Sequence, residues 1–303
     1  MFSGSSVAVV TPMRPDGAID FAAWHRLLDF HFRGGTAAVI VGGTTGESAT
    51  ITESELRELV VAAVAFARER GEGARVAGRL AIIAGAGTSS TASTVERVRW
   101  LGDLGVDGVL VVTPAYVKPT QEGLFRHYEA IAAGSKVPVV LYNVPGRTAV
   151  DMLPATVARL AALPRIVAIK EAVAGAARVR EILALVPQFT VLSGDDATAR
   201  EAILAGAQGV ISVTANVAPA LMAAMVAAAR AGDLAQSAES DAKLARLHED
   251  LFLEGNPIPV KWALQRLGMI DSGIRLPLTS LSERFHGRVA AAMQQAGLEP
   301  VVR

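Results

Sequence analysis

The stretch Ile166-Val167-Ala168-Ile169-Lys170-Glu171-Ala172 sets four apolar residues ahead of a single lysine and reads as a β-strand buried on both faces. A helical pattern, Ala176–Val186, follows it, and then another short apolar run, Phe189–Ser193. Extended in both directions, this strand-then-helix unit occurs eight times. Upstream, Ser6–Thr11 is the first strand, stopped by Pro12, and Phe21–Phe32 is a helix stopped by Gly34-Gly35. Ala37–Val41 is the second strand. Its helix opens at Thr52-Glu53-Ser54-Glu55, a hydroxyl cap ahead of acids in the first turn.

Ala81–Ala84 with helix Ser93–Leu104, Gly108–Val112 with helix Gln121–Ala133, and Pro138–Asn143 with helix Leu153–Leu163 lead up to the lysine strand. Downstream, helix Asp196–Ala205 follows the seventh strand, and Gly209–Thr214 with helix Pro219–Ala231 makes the eighth unit. Strict alternation predicts an α/β fold with a parallel sheet, and eight units predict a closed (β/α)8 TIM barrel over residues 1–232. Residues 233–303 carry no strand signal. They read as a C-terminal extension of three helices, Leu234–Phe252, Val260–Leu267 and Leu281–Gln295, with Asn256-Pro257-Ile258-Pro259 breaking the first from the second. The Arg-, Glu- and Gly-rich run Arg68–Arg79 reads as a solvated loop with no functional assignment.

The chain has 303 residues, 51% of them hydrophobic and 19% charged, enough for a large core and unlike a disordered chain. Lys plus Arg and Asp plus Glu number 29 each, so no net field draws the molecule to nucleic acid or to an anionic membrane. Without cysteine there is no disulfide, thiolate nucleophile or Cys-bound zinc, which agrees with a cytoplasmic location. The histidines His25, His31, His127, His248 and His286 show no metal-ligand spacing, so no metal is expected. Met1 to Ser6 lacks the basic segment of a signal peptide. The apolar stretch Val217–Ala229 is shorter than the ~20 residues a membrane span needs, and it reads as a packed barrel helix.

Burying an ammonium without a partner is costly. Two readings of Lys170 are open. It is either a strand-end lysine paired with a carboxylate, or an amine kept unpaired to attack a carbonyl and form a Schiff base. The active site of such a barrel lies at the C-terminal ends of its strands. Those ends carry Gly42-Gly43-Thr44-Thr45-Gly46-Glu47, Thr113-Pro114-Ala115-Tyr116, Tyr142-Asn143-Val144-Pro145-Gly146-Arg147, Lys170-Glu171 and Ser193-Gly194-Asp195-Asp196. The first is either a plain turn or a cradle of backbone N–H groups and hydroxyls for a small carboxylate. Tyr142 is either a core tyrosine with its hydroxyl tied off or, since strands five and six are neighbours, a phenol within reach of the Lys170 amine. Arg147 has the fork for a carboxylate or is an ordinary surface arginine, and Glu47 reads as a loop carboxylate holding backbone N–H groups. Gly85-Ala86-Gly87-Thr88 lacks the third glycine of a dinucleotide fingerprint and reads as a strand-end turn. Asp195-Asp196, adjacent in sequence, cannot flank a sugar bond as a glycosidase pair does.

Gly43-Thr44-Thr45-Gly46-Glu47-Ser48, Val112-Thr113-Pro114-Ala115-Tyr116, Tyr142-Asn143-Val144-Pro145-Gly146-Arg147-Thr148 and Ile169-Lys170-Glu171 together closely resemble the 4-hydroxy-tetrahydrodipicolinate synthase (dihydrodipicolinate synthase) family. The resemblance runs from Met1 to Lys261. The glycine-threonine loop and the barrel lysine mark the wider pyruvate-dependent class I aldolase superfamily, and Arg147 is the discriminating residue. The resemblance implies a lyase of lysine and diaminopimelate biosynthesis that needs no cofactor, because pyruvate is held as an imine on Lys170. It further implies that Thr45, with the Thr44 N–H, binds the pyruvate carboxylate and that Tyr142 shuttles protons. Thr44 would link Tyr142 to a Tyr116 reaching in from a neighbouring subunit of a homotetramer. Arg147 would hold L-aspartate 4-semialdehyde, while Gly194 and Ile211 shape the pyruvate pocket.

The chain departs from lysine-inhibited members where they carry Asn, Glu and a second Tyr. Here the residues are Ser89, Ser93 and Ala115, which implies weak or absent feedback inhibition by lysine. Two alternatives stand beside this reading. One is another pyruvate-dependent aldolase, acting on N-acetylneuraminate or keto-deoxy sugar acids; the other is a non-catalytic keto-acid-binding barrel.

Overall fold

The computed structural model describes residues 2–71 and 80–299. Eight parallel strands close into a barrel in sequence order. They are β1 (Gly4–Ala8), β2 (Ala38–Val41), β3 (Ala81–Gly85), β4 (Gly108–Val112), β5 (Val139–Asn143), β6 (Ile166–Glu171), β7 (Thr190–Ser193) and β8 (Gly209–Ser212). The expected fold class is therefore what forms. The first strand sits earlier than the apolar pattern suggests. Past Ala8 the Val9 N–H still reaches the Ile40 carbonyl at 3.3 Å, but the Val10 N–H turns to Oδ1 of Asn216 and Thr11 donates its hydroxyl to the Gly46 carbonyl at 2.7 Å.

Around the strands lie α1 (Phe21–Arg33), α2 (Glu53–Gly71), α3 (Thr91–Asp103), α4 (Gln121–Gly134), a single turn α5 (Pro145–Thr148), and α6 (Pro154–Ala161). The series continues with α7 (Ala177–Leu185), α8 (Ala199–Leu204) and α9 (Pro219–Arg230). Local chemistry sets several starts. The Asp20 carboxylate accepts the Ala23 N–H, and Thr120 caps α4 through the Gly123 N–H. At α2, Thr52 and Glu55 exchange bonds: the Glu55 N–H donates to Oγ1 of Thr52 and the Thr52 N–H to the Glu55 carboxylate. Arg68 to Arg70, expected in a loop, belong to α2, and Arg70 pairs with Asp29 at 2.8 Å; the rest of the Arg68–Arg79 reading falls on 72–79, outside the described residues. The turn α5, between the fifth strand and its helix, starts where Pro145 takes the first helical position. Helix α8 starts at Ala199 rather than Asp196 because the Asp196 carboxylate accepts the N–H groups of Val213 and Thr214, at 2.8 and 2.9 Å.

The barrel walls separate two apolar layers. Ala8, Ile40, Ile83, Leu110, Val140 and Ile211 fill the interior, while alternate residues such as Val39, Val109, Leu141, Ile169 and Val191 pack outward on the helices. The run Val217–Ala229 lies mostly in α9, which buries Met222, Met225 and Val226 against the sheet. No helix among the described residues is long and apolar enough to cross a membrane. Beyond α9, α10 (Leu234–Asp250) packs on α9 and on α12 (Glu283–Gln295), and α11 (Ile258–Arg266) lies between them in sequence.

Candidate active site

The direction in which Lys170 points is set by an irregularity in β6. Ile166 pairs with Val139 and faces the helix layer, but the next register pair is Ala168 with Val140, both inside the barrel. Val167 is the extra residue of a bulge. Strict alternation from Ile166 would turn Lys170 outward. After the bulge, Ile169 faces out and Lys170 faces in, level with Tyr142 on β5. The Lys170 side chain is 5% exposed, and its Nζ lies 4.4 Å from the centre of the Tyr142 ring. Among the described residues it has no carboxylate partner and no hydrogen bond.

Two buried lysines thus divide between the two expected environments. Lys261, on α11, is the paired one, against the fully buried carboxylate of Glu47. Burial pulls its pKa down and the carboxylate beside it opposes the shift. The tyrosines divide likewise. Tyr128 is fully buried and donates to the Val111 carbonyl at 2.9 Å, whereas the Tyr142 hydroxyl has no partner among the described residues.

Gly194, after β7, makes room for the lysine. A Cβ there would stand 2.9 Å from Cε of Lys170 and 2.9 Å from Cβ of Ala172. Ile211 on β8 is buried in the same interior layer as Tyr142. The loop after β2 is pressed against β3, where a Cβ on Gly85 would come within 2.2 Å of the Gly42 carbonyl oxygen. Gly85 serves that approach, and Gly87 serves another, since a Cβ there would stand 2.6 Å from the Val112 nitrogen. Thr44 and Tyr142 share a cavity of about 350 Å³ with Gly43, Ser48, Gly87 and Val112. Thr45 is buried, and its hydroxyl oxygen accepts Nδ2–H of Asn256 at 2.9 Å. Glu47, in a left-handed conformation at φ 56°, accepts the Arg275 N–H at 3.2 Å besides pairing with Lys261. The expected role of holding a backbone N–H is present, and the lysine partner is an addition.

Arg147 lies exposed on α5, its guanidinium without a hydrogen bond or ion pair among the described residues. Tyr116 is 92% exposed and holds a left-handed backbone at φ 72°. Its hydroxyl makes no hydrogen bond among the described residues.

Behind the strands, on the helix side, Asn143 and Glu171 form a polar tie. Nδ2 of Asn143 donates to both Glu171 oxygens at 3.1 Å and to Asp151 at 2.8 Å, and Arg178 forks onto Asp151. Burial raises the Glu171 carboxyl from 4.5 to about 7, against the pull of the Val173 N–H, Asn143 and the Arg178 charge. Sequence reasoning missed this tie, and it missed Asn256 and Lys261. A signal existed for Lys261, a lone cation on the apolar face of the Ile258–Leu267 helical run. None existed for Asn256, which reads as a helix breaker beside Pro257.

A buried lysine on the sixth strand of a (β/α)8 barrel, unpaired among the described residues and in register with a tyrosine that shares its cavity with Thr44 of the Gly-Thr-Thr-Gly loop, defines an aldolase-type barrel. The chain belongs to the dihydrodipicolinate synthetase family, whose family model matches residues 1–296. It is 52% identical over 299 residues to a 4-hydroxy-tetrahydrodipicolinate synthase of Methylococcus capsulatus, covering 98% of this chain and 100% of that one. Among solved structures it is similar to a chloride-inhibited dihydrodipicolinate synthase of Acinetobacter baumannii complexed with pyruvate, with TM-score 0.94 and 45% identity over 98% of this chain and 100% of that chain. It is also similar to the dihydrodipicolinate synthase of Aquifex aeolicus, with TM-score 0.93 and 38% identity over 99% and 100% of the two chains.

Proposed function

We propose that the chain condenses pyruvate with L-aspartate 4-semialdehyde to 4-hydroxy-tetrahydrodipicolinate through an imine on Lys170. The observation that carries this is the buried Lys170 amine, without a carboxylate partner among the described residues and 4.4 Å from the Tyr142 ring centre. Its lone pair attacks C2 of pyruvate and water leaves as the imine forms. Tyr142 is the proton carrier: it delivers the proton that the departing hydroxyl needs and later receives one from C3 as the enamine appears. The enamine carbon attacks the aldehyde carbon, and the amino group of the semialdehyde then displaces Lys170, closing the ring.

Thr45 and the Thr44 N–H anchor the pyruvate carboxylate, and Gly194 and Ile211 shape the space around it. The Arg147 guanidinium, unengaged among the described residues, takes the carboxylate of the second substrate in a two-pronged bond. Thr44 passes protons between Tyr142 and the Tyr116 of a neighbouring subunit in a homotetramer; a tyrosine 92% exposed at the end of β4 supports that reading. The catalytic unit is the barrel of residues 1–232, with 233–303 as its helical extension, working in the cytoplasm.

Borohydride added with pyruvate should fix a reduced adduct on the Lys170 peptide, read by mass. A folded sample that yields no adduct overturns the imine. Aspartate semialdehyde should be consumed in a parallel assay in which N-acetylmannosamine and sugar-acid aldehydes are not.

A further inference from the structure

We infer that Asn256, from the helical extension, is a positioning residue for the keto-acid cradle: it sets the direction of the Thr45 hydroxyl. The inference rests on the proposed role of Thr45 as the anchor of the pyruvate carboxylate. A threonine hydroxyl has one proton to give, and a carboxylate needs that proton pointed at it. The Thr45 oxygen already accepts Nδ2–H of Asn256 at 2.9 Å, so its own O–H is turned away from Asn256 and left to donate elsewhere. Asn256 is itself buried, and Oδ1 has no partner among the described residues, so the bond to Thr45 is the one its amide makes there.

The placement is held from both sides. Asn256 immediately precedes the residues that start α11, and Lys261 on that helix pairs with Glu47, two residues beyond Thr45. Thr45-Gly46-Glu47 is therefore gripped by one segment at two points. The Arg275 N–H on Glu47 and the Arg275 guanidinium on the Thr50 carbonyl add a third hold farther along. A loop that bore substrate only through its own turn would need none of these long-range bonds.

The test is a double-mutant cycle on the full-length protein, read as the pyruvate concentration that gives half-maximal borohydride trapping, a measure independent of the aldehyde. Thr45→Val and Asn256→Leu, both close in shape to the original, should each raise that concentration about tenfold or more. In the pair, Asn256→Leu should add little, since it acts through a hydroxyl already removed. The rate of aldehyde condensation at saturating pyruvate should change far less. If Asn256→Leu does not fold, Asn256→Ala takes its place in the same cycle. Effects that multiply in the double variant, or an Asn256 change that leaves pyruvate saturation as it was while Thr45→Val weakens it, overturn the inference alone. No effect of Thr45→Val would overturn the cradle reading as well.

Discussion

Tyr142 and Lys170 are register partners on adjacent parallel strands, and the amine sits over the phenol ring, 4.4 Å from its centre. This relationship makes a prediction about rates. Lys170→Ala should abolish borohydride trapping altogether, because the other buried lysine among the described residues, Lys261, is tied to Glu47. Tyr142→Phe should keep the fold and the trapping site but slow condensation on the order of 100-fold, the usual scale of a lost proton carrier. Steady-state rates and adduct mass together check both. An undiminished rate in Tyr142→Phe would remove the phenol from the mechanism.

The second buried lysine predicts a stability effect. The side chains of Lys261 and Glu47 are almost fully withdrawn from solvent. Among the described residues, Lys261→Met leaves the Glu47 carboxylate with only the Arg275 N–H, at a cost of about 3–5 kcal/mol. Lys261→Met with Glu47→Gln removes both charges and should recover most of that loss. Urea unfolding of the two variants decides it. If the double variant is no more stable than the single one, the loss comes from packing and not from a stranded charge.

Glu171 predicts the direction of a pH dependence. Its carboxyl titrates near 7 in the folded chain and near 4.5 when exposed. Between those values the folded state holds more protons than the unfolded chain. Stability therefore falls as pH rises through that window, and the whole penalty, on the order of 3 kcal/mol, is present above about 7. Glu171→Gln has no proton to lose and should flatten the profile of melting temperature against pH across the window. An unchanged slope in the variant would place the titration on another group.

The barrel itself was legible because each strand is a short apolar run and each helix carries a cap, a period or a breaker. What was not legible is where alternation fails. Ile166 to Ile169 is apolar at every position, so nothing in it marks Val167 as the extra residue that turns Lys170 inward. The resemblance supplied that direction. Helix ends shifted where a side chain had a distant partner, as when Asp196 serves the loop after β8 rather than its own helix. Asn256 stayed hidden for the same reason: its partner, Thr45, is 211 positions away in sequence.

Feedback by lysine should be weak or absent. Ser89 uses its hydroxyl on the Ala115 carbonyl at 2.8 Å, and the Ser93 N–H is taken by the cap Ser90. Short hydroxyls and an alanine stand where an effector's carboxylate and ammonium would need longer polar groups and a phenol. Each hydrogen bond to a charged group that is lost costs ~1.5–3 kcal/mol. Half-maximal inhibition by sub-millimolar lysine in a steady-state assay would refute this.

Gly194 and Ala172 together separate the geometry of Lys170 from folding. Its φ lies outside the left-handed region, so an alanine there carries no backbone strain, and the cost falls on what its methyl meets. Those atoms are Cε and Cγ of Lys170 and Cβ of Ala172, all within 3.1 Å of the added carbon. Of these only the lysine chain is free to move, and moving it shifts the amine off the Tyr142 ring. Gly194→Ala should therefore slow imine trapping by up to about 100-fold, the scale of a 1 Å misplacement at a reacting centre, and should also lower the melting temperature, because Cβ of Ala172 at 2.9 Å can yield only with its backbone. Adding Ala172→Gly removes the backbone-borne contact and leaves the lysine displaced, so it should recover melting temperature but little of the rate. Full recovery of the rate in that double variant would show that the methyl acts on β6 as a whole and not on the Lys170 side chain.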